Sequence, residues 1–144
     1  MKRSKRLAVV KKVMRDREDK IAQNLQKIQG AMILQKRRLE QLEEYRTEYQ
    51  ERFVVAGAQG LEAQKMLDYR AFMDSLGQAI VRQRQIVERH TADYEAKRRQ
   101  WLAAHRKGDA VEGVVEDALR NEDRIAERQV QREDDDRYAR GHKK

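Results

Sequence analysis

The sequence predicts an all-α fold, an antiparallel two-helix coiled coil that forms one long α-hairpin. Apolar residues recur at steps of three and four along most of the 144 residues, which is the spacing of one helix face. The chain has no proline, so no position interrupts a helix at a cost of about 3 kcal/mol. Gly57 and Gly60 lie close together and give the chain a place to turn back.

The composition is that of solvated helices rather than of a globule with a large core. Charged residues make up 40% and apolar residues 39%, with a mean hydropathy of −1.06. Such a mixture is found in disordered chains and in long helices, and the periodicity favours helices. The absence of cysteine excludes disulfides and thiolate metal sites and is compatible with a cytosolic location. The apolar run from Leu7 to Val10 is too short for a signal peptide, and we expect no membrane span.

The first helix is predicted over about residues 6–55. Its apolar stripe starts at Leu7 and ends at Phe53. The stripe passes through Leu7, Val10, Met14, Arg17, Ile21, Leu25, Ile28, Met32, Gln35, Leu39, Leu42, Arg46, Tyr49 and Phe53. Two consecutive steps of four, from Arg17 to Ile21 and on to Leu25, predict a stutter that locally unwinds the supercoil.

A turn is predicted at about residues 56–61, followed by a second helix over about residues 62–138. The second stripe runs from Tyr69 to Ala104. Gly108 and Gly113 are expected to weaken or kink this helix, and the end of the chain is expected to fray. Residues 1–144 are read as a single coiled-coil domain.

Two helices joined by a short turn run antiparallel, so facing residues should have numbers that sum to about 118. The expected pairs are Leu42 with Leu76, Tyr49 with Tyr69, Met32 with Val87, Leu25 with Tyr94, and Gln35 with Gln83. Nine basic and three acidic residues give residues 1–20 a net charge of +6, whereas eleven acids and four arginines give residues 109–136 a net charge of −7. This charge asymmetry supports the same pairing. A monomer is expected, in which about the last 27 residues have no partner within the chain.

Aromatic residues gather near the turn beyond what a two-helix seam requires. The candidate docking patch consists of Leu42, Tyr45, Tyr49, Phe72, Leu76 and Ala79. Aromatic anchors are frequent hot spots of protein interfaces. The alternative is that these side chains only hold the two helices together beside the turn.

Two charged features have a functional and a structural interpretation. Arg120, Arg124, Arg128 and Arg132 recur at steps of four and form a basic ridge that contacts a larger partner or pairs with acids on its own helix. The basic N-terminal segment could bind nucleic acid, but no aromatic stacking platform or zinc spacing accompanies it. Pairing with the acidic part of the second helix is the preferred interpretation.

Nothing in the sequence predicts catalysis. His90, His105 and His142 are isolated from one another, and no nucleotide-binding or nucleophile motif occurs. A two-helix hairpin cannot enclose a substrate. We therefore predict a protein that is not an enzyme and that uses no metal, cofactor or small-molecule substrate.

Two segments resemble a known family. "RLEQLEEYRTEYQERF" and "MLDYRAFMDSLGQAIVRQRQ", with the glycine turn between them, are similar to the end of the first helix and the start of the second in FliJ proteins of the flagellar type III export apparatus. "KRRQWL" and "RQVQREDDDRYA" are similar to later parts of that family. The resemblance covers the chain, although only residues 39–90 are specific.

The resemblance implies an antiparallel coiled coil similar to the central stalk of rotary ATPases. It implies insertion into the hexameric export ATPase, docking on the export-gate protein FlhA, and interaction with export chaperones. The gate-docking residues of the family match Leu42, Tyr45, Tyr49, Phe72, Leu76 and Ala79, and Arg38 and Gln83 are possible additions. The implied location is cytoplasmic, peripheral to the inner membrane at the flagellar basal body. The alternatives are the equivalent stalk of an injectisome and a generic coiled-coil adaptor.

Overall fold

The chain folds as two long helices. The computed structural model describes residues 2–141, and this part of the chain consists of α1 (Arg3–Ala58) and α2 (Ala63–Gly141), without a β-strand. The contacts between the helices are those of an antiparallel hairpin. The predicted fold class is therefore confirmed.

Both helices extend slightly further than the apolar stripes suggest. α1 starts three residues before and ends three residues after the predicted bounds, and α2 continues to Gly141 instead of about 138. α2 also passes through Gly108 and Gly113 without interruption. An interior glycine costs only about 1 kcal/mol relative to alanine, which is small for a helix held by cross-helix contacts. The sequence predicts fraying over residues 132–144, but α2 is helical through Gly141. Residues 142–144, including His142, lie outside the described residues.

Four residues, from Gln59 to Glu62, connect the helices. Gly60 has a φ of 87°, a left-handed conformation that costs glycine nothing and that other residues rarely adopt. The Gly60 amide donates a hydrogen bond to the Gly57 carbonyl (3.2 Å), and the Gln59 amide donates to the Ala56 carbonyl (3.1 Å). Gly60 therefore makes the turn. Gly57 lies in the last turn of α1, and its carbonyl accepts the hydrogen bond from the Gly60 amide.

The hairpin contains two compact units. The turn unit is Ala22–Gln100, and the terminal unit consists of the start of α1 up to Ile21 together with α2 from Trp101 onward. In the turn unit, Met32, Leu76 and Ile80 are the buried apolar side chains, and Ile80 is only 1% exposed. Such burial contributes roughly 1.5–3 kcal/mol for each large aliphatic side chain.

The register predicted for the turn unit is present. Nε2 of Gln83 donates to Oε1 of Gln35 at 2.8 Å and to the Gln35 carbonyl at 3.0 Å. The rings of Tyr49 and Tyr69 also face each other. Both pairs have numbers that sum to 118, as the position of the turn requires.

The predicted stutter in α1 is wrong. Val10 is 42% exposed and Arg17 is exposed, whereas Lys11 is half-buried and Glu18 is only 9% exposed. An uninterrupted row of buried and half-buried positions, with alternating steps of three and four, runs through the start of α1, and Arg15 and Ala22 are half-buried beside it. The row consists of Ser4, Leu7, Lys11, Met14, Glu18, Ile21 and Leu25. Apolar periodicity selected Val10 instead of Lys11 and Arg17 instead of Glu18, because the two true seam positions carry charged side chains.

In the terminal unit, side-chain contacts between the helices join residues that lie one helical turn or more away from the facing positions predicted by the sum of 118. Arg15 contacts Asp109 and Glu112, and Ser4 contacts Glu122, so these numbers sum to more than 118. Side chains of an α-helix lean toward its N-terminus. In antiparallel helices, this lean lets side chains on one helix meet residues with higher numbers on the other.

Candidate docking surface and the charged cluster of the seam

Aromatic rings join the two helices beside the turn. The Phe53 and Tyr69 rings stack at a centroid distance of 3.5 Å, and Tyr49 stacks on Tyr69 at 5.7 Å. Tyr49 also meets Phe72 at 4.4 Å. Each of these pairs has one member on α1 and one on α2, and such pairs contribute about 0.5–1.5 kcal/mol beyond the area they bury. These four rings therefore hold the helices together.

Tyr45 differs from the other aromatic residues of this group. Its ring meets the edge of Phe72 at 5.9 Å and lies 6.1 Å from Tyr49, but the residue remains 45% exposed. Its pair with Phe72 also joins α1 to α2, but the other four rings already join the helices through three pairs without it. Tyr45 is thus the most exposed aromatic side chain of this group.

The remaining candidate residues have different surroundings. Leu76 is 7% exposed and lies in the seam, where it supports the patch from below. Leu42 and Ala79 are half-buried at its edge, and Arg38 is exposed. The amide of Gln83 is half-buried and engaged with Gln35. The accessible part of the candidate patch is therefore Tyr45 with the free edges of its half-buried neighbours.

A groove lies next to the stacked rings. It has a volume of about 300 Å³ and is lined mainly by Tyr49, Arg52, Phe53, Lys65 and Tyr69. The opposite flank of the seam is polar, because Arg84 forms an ion pair with Glu43 at 3.1 Å. The aromatic flank and the polar flank make the two sides of the turn unit chemically distinct.

The terminal unit contains a cluster of charged residues in which the start of α1 pairs with the acidic part of α2, as expected, although the sequence did not identify the members of the cluster. Arg15 donates to Oε2 of Glu18 at 2.6 Å, to Asp109 at 2.8 Å and to Glu112 at 2.7 Å. Lys11 forms a further ion pair with Glu112 at 3.1 Å. Arg15 thus connects three carboxylates, two of them on the other helix.

His105 completes this cluster. Its Nδ1 lies 2.7 Å from Oε1 of Glu18, and its Nε2 lies 3.4 Å from Oδ2 of Asp109. The imidazole also stacks on the indole of Trp101 at 5.1 Å. Both oxygens of the Glu18 carboxylate therefore have a partner, as a buried charge requires.

The hydrogen bonds of the cluster favour its charged forms. The hydrogen bond from His105, and next that from Arg15, lower the pKa of Glu18. Arg15 lowers the pKa of Asp109, and together with Lys11 it lowers the pKa of Glu112. The same hydrogen bonds raise the pKa of Arg15 above its already high ordinary value. A charged acceptor or donor gains more from a hydrogen bond than a neutral one.

The family model described as Flagellar FliJ protein matches residues 3–144. The chain belongs to the FliJ family. No curated protein and no solved structure gave a significant match. Membership makes the chain a stalk protein related to flagellar export, in a family that is a non-catalytic component of that apparatus.

The basic ridge of this FliJ protein lies at the end of α2. Arg120 pairs with Asp117 of its own helix at 2.8 Å. Among the residues that the structure describes, Arg124, Arg128 and Arg132 form no ion pair, and every side chain from Asp123 to Gly141 is exposed. Pairing within the helix therefore accounts for Arg120 alone.

No metal site or membrane span occurs in the described part of this FliJ protein. Residues 2–141 contain no group of three or more histidine, aspartate or glutamate side chains placed to hold a metal ion. Over the same residues, neither helix has a stretch that is long and apolar enough to cross a bilayer.

Proposed function

We propose that this FliJ protein is the stalk that connects the flagellar export ATPase to the export gate. In this proposal the terminal unit enters the ATPase hexamer and promotes its assembly, and the turn unit docks on FlhA. The protein also escorts export chaperones, and it works in the cytoplasm at the inner-membrane face of the basal body. Family membership over residues 3–144 supports the flagellar part of the proposal.

The observation that carries gate docking is the exposure of Tyr45. Four neighbouring rings join α1 to α2, so stability alone does not require a fifth, half-exposed ring beside them. Interface hot spots are enriched in tyrosine and lie beside half-buried apolar neighbours. Tyr45, with Leu42 and Ala79 around it, has this arrangement.

The ATPase contact is proposed from the exposed arginines of α2. Arg124, Arg128 and Arg132 lie about one turn apart on α2. None of the three forms an ion pair with another described residue. Arginine is well suited to bidentate contact with carboxylates on a partner. We therefore place the ring contact at this ridge.

The proposal is tested with the variant Tyr45→Ala in cells that depend on this protein for swimming. We expect helical circular dichroism close to that of the parent protein, together with reduced FlhA binding and reduced motility. Loss of helicity would favour a purely structural role for this ring. A variant that is fully helical and fully motile would exclude the patch as a docking site.

A further inference from the structure

Glu18 occupies a position in the terminal unit where a coiled coil normally has an apolar residue. It is 9% exposed and lies in the three-four row between Met14 and Ile21. A buried carboxylate is tolerated only when it is paired and hydrogen-bonded. Arg15 and His105 provide these bonds at 2.6 and 2.7 Å.

The absence of a side chain at Gly108 makes this arrangement possible. A Cβ atom at this position would lie 2.6 Å from Nη1 and 2.9 Å from Cζ of Arg15, and 3.2 Å from Oε2 of Glu18. Such distances are too short for a carbon atom, so the Arg15 side chain would have to move away. Gly113, five residues later on the same helix, has no such neighbour within 4 Å.

Apolar packing around the cluster is sparse. The buried apolar side chains of the described terminal unit are Val115 and Ala118, both of which are small. The row that α2 offers to α1 also includes Ala104 and Gly108. Leu7, Met14 and Val111 are only half-buried in the same seam, so the polar contacts and a thin apolar row together keep the start of α1 on α2.

We propose that Glu18, Arg15 and His105, packed over Gly108, form a charge-dependent clasp that holds residues 3–21 of α1 on α2 and lets this segment detach when the charge of Glu18 is lost. The proposal concerns the isolated chain and does not depend on the proposed export function.

A clasp of this kind differs from an apolar contact in how it is released. An intact buried ion pair contributes little net stability, because desolvation offsets the attraction between the charges. Loss of the Glu18 charge weakens two charge-assisted hydrogen bonds at a position that is 9% exposed, whereas Arg15 keeps its bonds to Asp109 and Glu112. Opening of the terminal unit therefore responds to a single charge, whereas an apolar seam would respond to no such signal.

The groups around the clasp make it sensitive to protons. The charged and titratable groups in and around the clasp are Lys11, Arg15 and Glu18 on α1 and His105, Asp109 and Glu112 on α2. The His105 ring contacts Glu18 through Nδ1 at 2.7 Å and Asp109 through Nε2 at 3.4 Å. Protonation of Glu18 removes the acceptor that both neighbours share.

The test uses the full chain and two matched glycine substitutions. Amide hydrogen exchange is measured at neutral pH for the parent protein, Gly108→Ala, Gly113→Ala and Glu18→Gln. We expect Glu18→Gln to speed exchange in residues 3–21 by about tenfold, the effect of losing a charged hydrogen bond. Gly108→Ala should speed exchange in the same residues relative to Gly113→Ala, which carries the same gain in helix propensity without displacing Arg15. Residues 28–53 should not change. Gly113→Ala should slow exchange, because alanine is the better helix former and meets no neighbour.

A distance measurement distinguishes detachment from a general loss of helix. The chain has no cysteine, so spin labels can be placed at Ala8 and Ala110 in the terminal unit, and at Lys36 and Arg82 as a control pair in the turn unit. We expect Glu18→Gln to broaden the first distance distribution and to leave the second unchanged. The proposal is overturned if Gly108→Ala behaves like Gly113→Ala, or if Glu18→Gln leaves both exchange and the Ala8–Ala110 distance unchanged.

Discussion

Tyr49 of α1 and Tyr69 of α2 stack with ring planes 5° apart and centroids 5.7 Å apart. The Phe53 ring also stacks on Tyr69, with centroids 3.5 Å apart. Tyr69 therefore stacks on two rings of the opposite helix. This relationship separates the aromatic side chains that join the helices from Tyr45, which remains exposed.

Tyr69→Ala is expected to destabilise the hairpin, whereas Tyr45→Ala is not. Removal of Tyr69 breaks two stacked pairs, each worth about 0.5–1.5 kcal/mol, and should lower the free energy of unfolding by about 2 kcal/mol. Tyr45→Ala should change it by less than about 1 kcal/mol, because the ring is half-exposed. Urea unfolding followed by circular dichroism measures both values. Equal losses for the two variants would mean that Tyr45 is also part of the structural staple.

The polar pair in the turn unit gives a second prediction. Gln35→Leu alone leaves the half-buried amide of Gln83 without its partner, which should cost about 1–3 kcal/mol. Gln35→Leu combined with Gln83→Leu should recover most of that loss, because neither amide remains. A double-mutant cycle by chemical unfolding measures the interaction. Additive losses would indicate that the two side chains do not depend on each other.

The stability of the chain should fall in acid. Glu18, Asp109, Glu112 and Glu122 have pKa values below their ordinary values of 4.5 for glutamate and 3.8 for aspartate. A carboxyl group with a lowered folded-state pKa stabilises the fold above its unfolded-state pKa, and this contribution is lost as the pH falls through the folded-state value. Thermal unfolding between about pH 7 and pH 3 should therefore show falling stability below about pH 4.5.

The matched variants for this acid response are Glu18→Gln and Glu43→Gln. Glu18→Gln should lower stability near neutral pH and flatten the decline in acid, because one of the titrating groups has been removed. Glu43 also faces an arginine of the other helix, but its ion pair lies on the half-exposed flank of the seam. A larger flattening in Glu43→Gln than in Glu18→Gln would contradict our assignment of the acid response to the charged cluster.

Charge reversal of the basic ridge should weaken the contact with the export ATPase. The triple variant Arg124→Glu/Arg128→Glu/Arg132→Glu should remain helical, because these side chains are exposed. We expect it to lose the ability to promote hexamer assembly, measured by light scattering of the purified ATPase. Arg70→Glu/Arg89→Glu/Arg99→Glu changes the net charge equally at exposed positions elsewhere on α2 and should retain that ability. Equal loss in both variants would mean that only the net charge matters.

The sequence allowed a good prediction of the turn unit. Most of its seam positions are apolar, so the position of the turn was enough to pair Gln35 with Gln83 and Tyr49 with Tyr69. The terminal unit was harder, because Lys11 and Glu18 occupy seam positions that apolar periodicity does not reveal. Strict continuation of the three-four alternation from Leu25 back to Ser4 would have indicated them. A glycine on the facing helix was a further signal, since it leaves room for a long charged side chain.

The surroundings of the candidate docking residues could not be predicted from the sequence. Leu76 and Tyr45 fall in the same predicted patch, but one is 7% and the other 45% exposed. Helix periodicity gives the angular position of a side chain, whereas its exposure depends on which rings of the other helix cover it. Only the arrangement of Tyr49, Phe53, Tyr69 and Phe72 explains why Tyr45 is left accessible.

The central claim is that Tyr45 is a docking residue for the export gate, and its most direct test is a binding titration. The purified chain is titrated with the cytoplasmic domain of FlhA by isothermal calorimetry, in the parent form and as Tyr45→Ala. Val54→Ala serves as control, because Val54 is 70% exposed and lies outside the patch. We predict that Tyr45→Ala weakens binding by about tenfold or more, or about 1.4 kcal/mol, with an unchanged melting temperature. Equal affinity of Tyr45→Ala and the parent chain would contradict the claim.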